Sequence, residues 1–394
     1  MYLVGTDKTF EAKRFSGSEI TSTGSVVSTS QPFRTTSGRK MVYVVLNSPN
    51  ALLTKSPNDN DLWPIEGLAD IVTENNVDYD HIMMTGKTVD AVIEPDISAQ
   101  SVTNGQNRIA VQLSRIASRA IVTTTATPTI VYDNGATIGT ISNITYAVAQ
   151  GTNQVYFLPQ TDYVTWGSAY VPTTNDYPTS ASQYYDFSDL SNSTPVPAKP
   201  TAADGYKSLQ GKFLFENTHT PGDVKTSQYK KGNTAYVLVR AIFTPAASAI
   251  ADGGTLTGGT FYVGQTDGKI YSSKQAAQTA VMNQKVSVYQ GGKMMYHAWL
   301  NPDNLQKPMN SPVIRNNIYH VNITGFSQLG WNWNPLYPED PDTPNPTNPD
   351  PKPINPDEPE PPYEPGDPLT PEQTYMTVDI TVLNWTVHSY DIEL

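Results

Sequence analysis

At 394 residues the chain is long enough for two ordinary domains with sizeable cores. It holds no cysteine, which excludes disulfides and thiolate metal sites. The net charge of −12 sits almost wholly between Pro335 and Leu394, where about thirteen acids face Lys352 alone; the totals of 37 acids and 25 bases leave about 24 of each elsewhere, so no basic stripe exists to neutralise phosphates and nucleic acid is not an expected partner.

Thr, Ser, Asn, Gly, Pro and Tyr are abundant, a mixture that favours short strands joined by turns. The opening Met1-Tyr2-Leu3-Val4 reads as the middle or end of a strand. It is too short for a signal peptide, and no apolar stretch approaches the roughly 20 residues that cross a bilayer. Met41–Leu46 (MVYVVL) and Thr234–Val239 (TAYVLV) are continuous apolar runs, the pattern of strands buried on both faces. Their likeness suggests one module used twice. Further strands are expected at Arg108–Leu113, Arg119–Thr123, Ile141–Ala149, Lys212–Phe215, Lys285–Tyr289, Met294–Leu300 and Ile318–Thr324. Short helices are expected at Trp63–Thr73, with Pro64 in the first turn, and at Ser273–Met282, with Ser273 as N-cap. The economical fold is all-β: two tandem Greek-key β-sandwiches over 1–165 and 166–336, their boundary in the Tyr- and Thr-rich stretch Asp162–Asp189.

From about 337 to 372 the composition breaks. Proline recurs at nearly every second or third position, with acids between, so neither helix nor central strand can form. A stiff polyproline II linker follows, with an upper reach on the order of 100 Å at about 3.1 Å per residue. A domain of roughly 170 residues spans only about 40 Å. Beyond the linker, 373–394 returns to strand period. Met376, Val378, Ile380 and Val382 alternate with Thr377, Asp379 and Thr381. The phase slips at Leu383-Asn384, leaves Trp385 and Val387 on one face, and recovers at Tyr390, Ile392 and Leu394. One strand with a bulge, or two consecutive strands, accounts for the slip.

A search for reactive groups finds none placed to react. There is no G-x-S-x-G elbow, no H-E-x-x-H and no P-loop. The histidines His81, His219, His297, His320 and His388 are scattered singly and read as structural. Asp59 and Asp61 lack the glycine and distal glutamate of a calcium loop and read as a solvated turn, as do Asp78, Asp80 and His81. Tyr177, Tyr184, Tyr185, Phe187, Trp331 and Trp333 suit packing or sugar stacking. No catalytic residue, cofactor or metal is expected.

A terminal strand with an apolar face is an aggregation hazard unless a receiver exists. Strand addition to an open sheet edge supplies one. Burying about six apolar side chains at roughly 1.5–3 kcal/mol each gives on the order of 10 kcal/mol before ordering costs. The alternative is that the tail folds back as the last strand of its own domain.

The stretches VYVVLNS (Val42–Ser48), SRIASRAIVT (Ser114–Thr123), YAVAQG (Tyr146–Gly151), GKFLFENTHTPG (Gly211–Gly222) and YKKGNTAYVLVRAIFTP (Tyr229–Pro245) resemble those of the type V pilus shaft subunits, or fimbrillins, of Bacteroidales. So do AWLNP (Ala298–Pro302), SPVIRNNIYHVNI (Ser311–Ile323), LGWNWNPL (Leu329–Leu336) and the closing TVLNWTVHSYDIEL. The resemblance is to the shaft subunit of the short fimbriae above all, and it spans nearly the whole chain. It implies a transthyretin-like sandwich pair, export as a lipidated precursor that alone meets the outer membrane, and proteolytic removal of a first strand to open a groove. It further implies non-covalent donor-strand exchange into a homopolymer, with minor tip and anchor pilins and host or bacterial surface receptors as partners, in support of adhesion and biofilm formation. The other class of reading is a monomeric carbohydrate-binding sandwich of a surface adhesin, indifferent to loss of the tail.

Overall fold

The computed structural model describes residues 1–23, 26–48, 62–64, 82–131, 135–152, 154–160, 194–201, 209, 211–300, 310–332, 366–369, 376–384 and 388–393. The first part of the chain contributes β1 (Tyr2–Gly5), β2 (Phe10–Ala12), β3 (Ile20–Thr23), β4 (Val26–Thr29), β5 (Gly38–Leu46), β6 (Leu62–Pro64), β7 (Met84–Ile93), the helical turn α1 (Ala99–Thr103) and β8 (Arg108–Arg115). Next come β9 (Ala117–Thr124), β10 (Thr129–Val131), β11 (Thr137–Ala149), β12 (Gln154–Tyr156), β13 (Thr194–Pro195), β14 (Lys212–Phe215) and β15 (Tyr236–Pro245). The remainder of the body is β16 (Phe261–Gly264), β17 (Ile270–Tyr271), α2 (Lys274–Ala280), β18 (Val286–Tyr289), β19 (Lys293–Trp299) and β20 (Asn317–Phe326). Two strands, β21 (Met376–Asn384) and β22 (His388–Glu393), form the tail.

The first sandwich is one long sheet folded over on itself, in the order β2-β1-β5-β7-β8-β22-β4-β3. Strands β7 and β8 pair only at Met84–Arg115 and Thr85–Ser114, and the sheet turns there. Gly86 permits the turn, because a Cβ at that position would lie 2.0 Å from the carbonyl oxygen of Gln112. The two resulting layers close on one core. Leu3, Val42 and Met84 from one layer share it with Val111 and Leu113 from the other, and Val27 of β4 packs against it.

The second sandwich faces sheet β10-β11-β15-β19 against sheet β14-β9-β20-β21. Period-two alternation assigns each strand's side chains to two sides. Tyr146, Val148, Val237, Val239, Tyr296, Tyr319, Val321 and Ile323 point into the core between the sheets. Their neighbours Ala147, Ala149, Tyr236, Leu238, Met295 and Trp299 form a second apolar layer on the outer side. That layer also takes in Ile82, Met83 and Ile116 from the first sandwich, so it is the junction of the two. Between β15 and β19 the chain inserts a small sheet, β17-β16-β18, with α2 packed on it. Ser273 caps α2 as its type and position predict, its hydroxyl accepting from the Ala276 N–H at 3.1 Å.

Several expectations change. Trp63 and Pro64 lie in β6, paired with β12, rather than opening a helix; residues 65–73 fall outside the described residues. The stretch Asp162–Asp189 also lies outside them. By pairing, the chain changes sheet at Ile116, between β8 and β9, inside the span 1–165 read as one domain. Strand β9 lies parallel to β20, almost two hundred residues away, a partnership no local pattern encodes. Within the Pro-rich linker, the segment 366–369 is packed on the body instead of extending past it: Leu369 is 1% exposed, and the Lys231 N–H donates to the Asp367 carbonyl at 2.9 Å.

Candidate functional site

The apolar alternation at Met376–Val382 meets a receiving strand, with one bulge in the register between Ile323 and Gly325. β21 runs antiparallel to β20, and Val378, Ile380 and Val382 stand directly across from Ile323, Val321 and Tyr319. Those three partners are fully buried residues of the second core. Met376 stands across from Phe326 and is itself buried in that core. The polar positions alternate in the same register: Thr377, Asp379 and Thr381 face Gly325, Asn322 and His320. On β20 one face carries Tyr319, Val321 and Ile323 and the other His320 and Asn322, so that strand has an apolar and a polar side. On β20 the polar side is satisfied locally. Thr123 bonds to His320 Nε2 and to Asn322 Oδ1, each at 2.9 Å. Burial pushes the His320 imidazole down to about 4.

The phase slip at Leu383-Asn384 marks the end of one strand and a change of sheet. β22 leaves the second sandwich and enters the first, between β8 and β4. It is antiparallel to β8 and parallel to β4. Tyr390 stands across from Val111 on one side and Val27 on the other, and Ile392 across from Ile109. Among the described strands β4 pairs otherwise only with β3, so β22 is what joins the β3–β4 hairpin to the rest of the sheet. The tail therefore supplies an edge strand to one sandwich and an interior strand to the other. Within this chain it occupies both places itself.

Trp385, Val387 and Leu394, read from the sequence as part of the same apolar face, lie outside the described residues. So do Asp59, Asp61, Asp78, Asp80, His81, Tyr177, Tyr184, Tyr185, Phe187 and Trp333. Trp331 is half-buried and exchanges two main-chain hydrogen bonds with Met295, at 2.6 and 2.7 Å. His219 is buried in the irregular segment after β14, and His297 is buried in β19. Burial holds His219 near 4 against the opposing pull of the Asn233 carbonyl, so it is a neutral structural group at neutral pH. Among the described residues no three acids or histidines converge as metal ligands would. Leu369 is the residue that the sequence pattern passed over. Its one signal was a lone leucine closing a run of prolines and acids.

The C-terminal third of the chain matches a known family. The model of the family described as "Major fimbrial subunit protein type IV, Fimbrillin, C-terminal" covers residues 287–391, which takes in most of β18, all of β19, β20 and β21, and most of β22. Two proteins named Minor fimbrium subunit Mfa1, from Porphyromonas gingivalis, are each 36% identical to the chain, over 100% of it and 85% of their own length. The chain belongs to the fimbrillin family of fimbrial subunits.

A crystal structure of a fimbrilin from Porphyromonas gingivalis aligns with this fimbrillin over 89% of its length and 81% of the crystal chain, at 14% identity and a TM-score of 0.42. The tip fimbrial protein Mfa3 of the same species, with a C-terminal truncation, aligns over 89% and 81% at 11% identity and a TM-score of 0.30. As a fimbrial subunit the fimbrillin is a structural protein of a bacterial surface fibre and not an enzyme.

Proposed function

We propose that this fimbrillin polymerises by strand exchange, lending β21 and β22 to the neighbouring subunit. There they take the places that the neighbour's own tail would fill beside β20 and between β8 and β4. The observation that carries this reading is the register: the apolar tail residues Met376, Val378, Ile380 and Val382 lie across from Phe326, Ile323, Val321 and Tyr319, all at most 7% exposed. Trp385, Val387, Tyr390, Ile392 and Leu394 complete the lent segment. A swapped element makes the same contacts between copies that it makes within one, so the closed chain and the fibre differ in connectivity and not in packing. The linker decides between them, since a composition of acids and prolines favours an extended chain over a compact one. An empty slot leaves the edges of β8 and β4 unpaired, which favours capture of another strand. Identical subunits are the main partners, related tip and anchor subunits close the ends, and adhesion follows from presenting the fibre at the cell surface.

The test compares intact protein with a chain ending at Pro371, by electron microscopy and by gel ladder. Fibres and a ladder are expected from the intact chain alone. Equal assembly of the two would refute strand exchange.

A further inference from the structure

We propose that the contact between subunits begins before the strands, with Leu369 as a peg that the lending subunit seats in the receiving one. The inference rests on the strand-exchange reading and adds a second docking element to it.

Leu369 lies in a run of prolines and acids, yet it is 1% exposed. It belongs to the junction layer between the two sandwiches, together with Phe213, Phe215, Tyr229, Met295 and Trp299. Its backbone neighbours are fixed as well. Pro368 bridges Lys230 in an antiparallel manner, and the Lys231 N–H donates to the Asp367 carbonyl at 2.9 Å.

Chain length divides the work. Only residues 370–375 separate Leu369 from Met376, a tether of at most about 27 Å at 3.8 Å per step. On the other side, residues 333–365 lie between Asn332 and Gly366, with an extended reach of about 100 Å. The long side can cross from one subunit to the next. The short side ties the peg to the strand. Any body that accepts β21 therefore presents its own peg pocket at the spacing this tether already spans in the closed chain.

The peg also answers a problem of register. Met376, Val378, Ile380 and Val382 repeat with period two, so a slip of two residues keeps every apolar side chain on its face. A leucine seated in a fixed pocket seven positions upstream of Met376 bounds that slip, because the tether between them reaches no farther than about 27 Å. It makes Gly366–Leu369 the first part of the donated segment.

The chain contains no cysteine, so introduced thiols are the only ones present. Two single-cysteine full-length chains are co-assembled into fibres and oxidised. One pair, Pro368→Cys with Lys230→Cys, reports the peg. The other, Asn384→Cys with Asn317→Cys, reports the strand, since Asn317 and Asn384 are register partners. Disulfide-linked dimers from both pairs are expected. Dimers from the strand pair alone would overturn the peg while leaving strand exchange intact. Dimers from neither would overturn both. In a third sample, Leu369→Ala is expected to release subunits from fibres at least roughly tenfold faster and to lower the strand-pair yield as slipped registers appear. An unchanged release rate and yield would count against the peg's role.

Discussion

Arg315 and Glu216 are 2% and 3% exposed and meet at 2.7 Å. Arg315 also donates to the carbonyl oxygens of Tyr156, at 2.7 Å, and Phe157, at 3.3 Å, and to the Thr85 hydroxyl at 3.3 Å. One guanidinium thus ties β7 of the first sandwich and the 156–157 segment to the second. Phe157 in turn packs edge-on against Tyr43, with ring centroids 6.0 Å apart. A charge taken out of water is tolerated only while its partner and hydrogen bonds remain. Arg315→Met is accordingly expected to cost about 3–5 kcal/mol in denaturant unfolding, by stranding the Glu216 carboxylate. Adding Glu216→Met should recover part of the loss but not all, because the bonds that Arg315 makes to the Tyr156 and Phe157 carbonyls and the Thr85 hydroxyl are still lost. A single-variant loss below about 1 kcal/mol would mean that water or another donor replaces the guanidinium.

Strand β22 differs from β21 in where it sits. β21 caps an edge, whereas β22 holds β8 and β4 together from between them. Ending the chain before His388 should leave Ile20–Thr23 and Val26–Thr29 as an isolated hairpin, which is marginal in water. Amide hydrogen exchange in β3 and β4 is then expected to rise by several orders of magnitude, while β11 and β15 of the second sandwich keep their protection. Retained protection in β3 and β4 would show that the hairpin docks without the tail. These elements also mark what was legible in the sequence. Long strands with alternating or continuous apolar residues, such as β8, β11 and β20, announce themselves, and so does the tail with its phase slip. Among strands of three or four residues, β14 and β18 were legible while β2 and β16 were not, and the ten-residue β7, with Lys87 and Asp90 inside it, was missed as well. Partner choice is harder still, because nothing near β9 specifies that it lies beside β20 and β14. Leu369 was hidden by its surroundings: proline and acid dominate the local composition, and only the tertiary pocket gives the leucine a place.

At the scale of the whole molecule, the two sandwiches share a junction layer, the Arg315 tie and a single tail that completes both. Scanning calorimetry of the intact chain is therefore expected to give one unfolding transition. The chain ending at Pro371 should give two, with the first sandwich melting lower because it loses an interior strand and not an edge. Two separated transitions in the intact chain would show that the junction does not couple the halves.

The nine-residue antiparallel ladder of β21 has a mechanical corollary. Antiparallel hydrogen bonds lie across the strand direction. In a fibre joined by such ladders, tension that passes Leu369 and reaches Met376 runs along the strand and shears every rung at once. A sideways pull would peel the rungs singly. The same joint is thus strong against stretching and weak against prying.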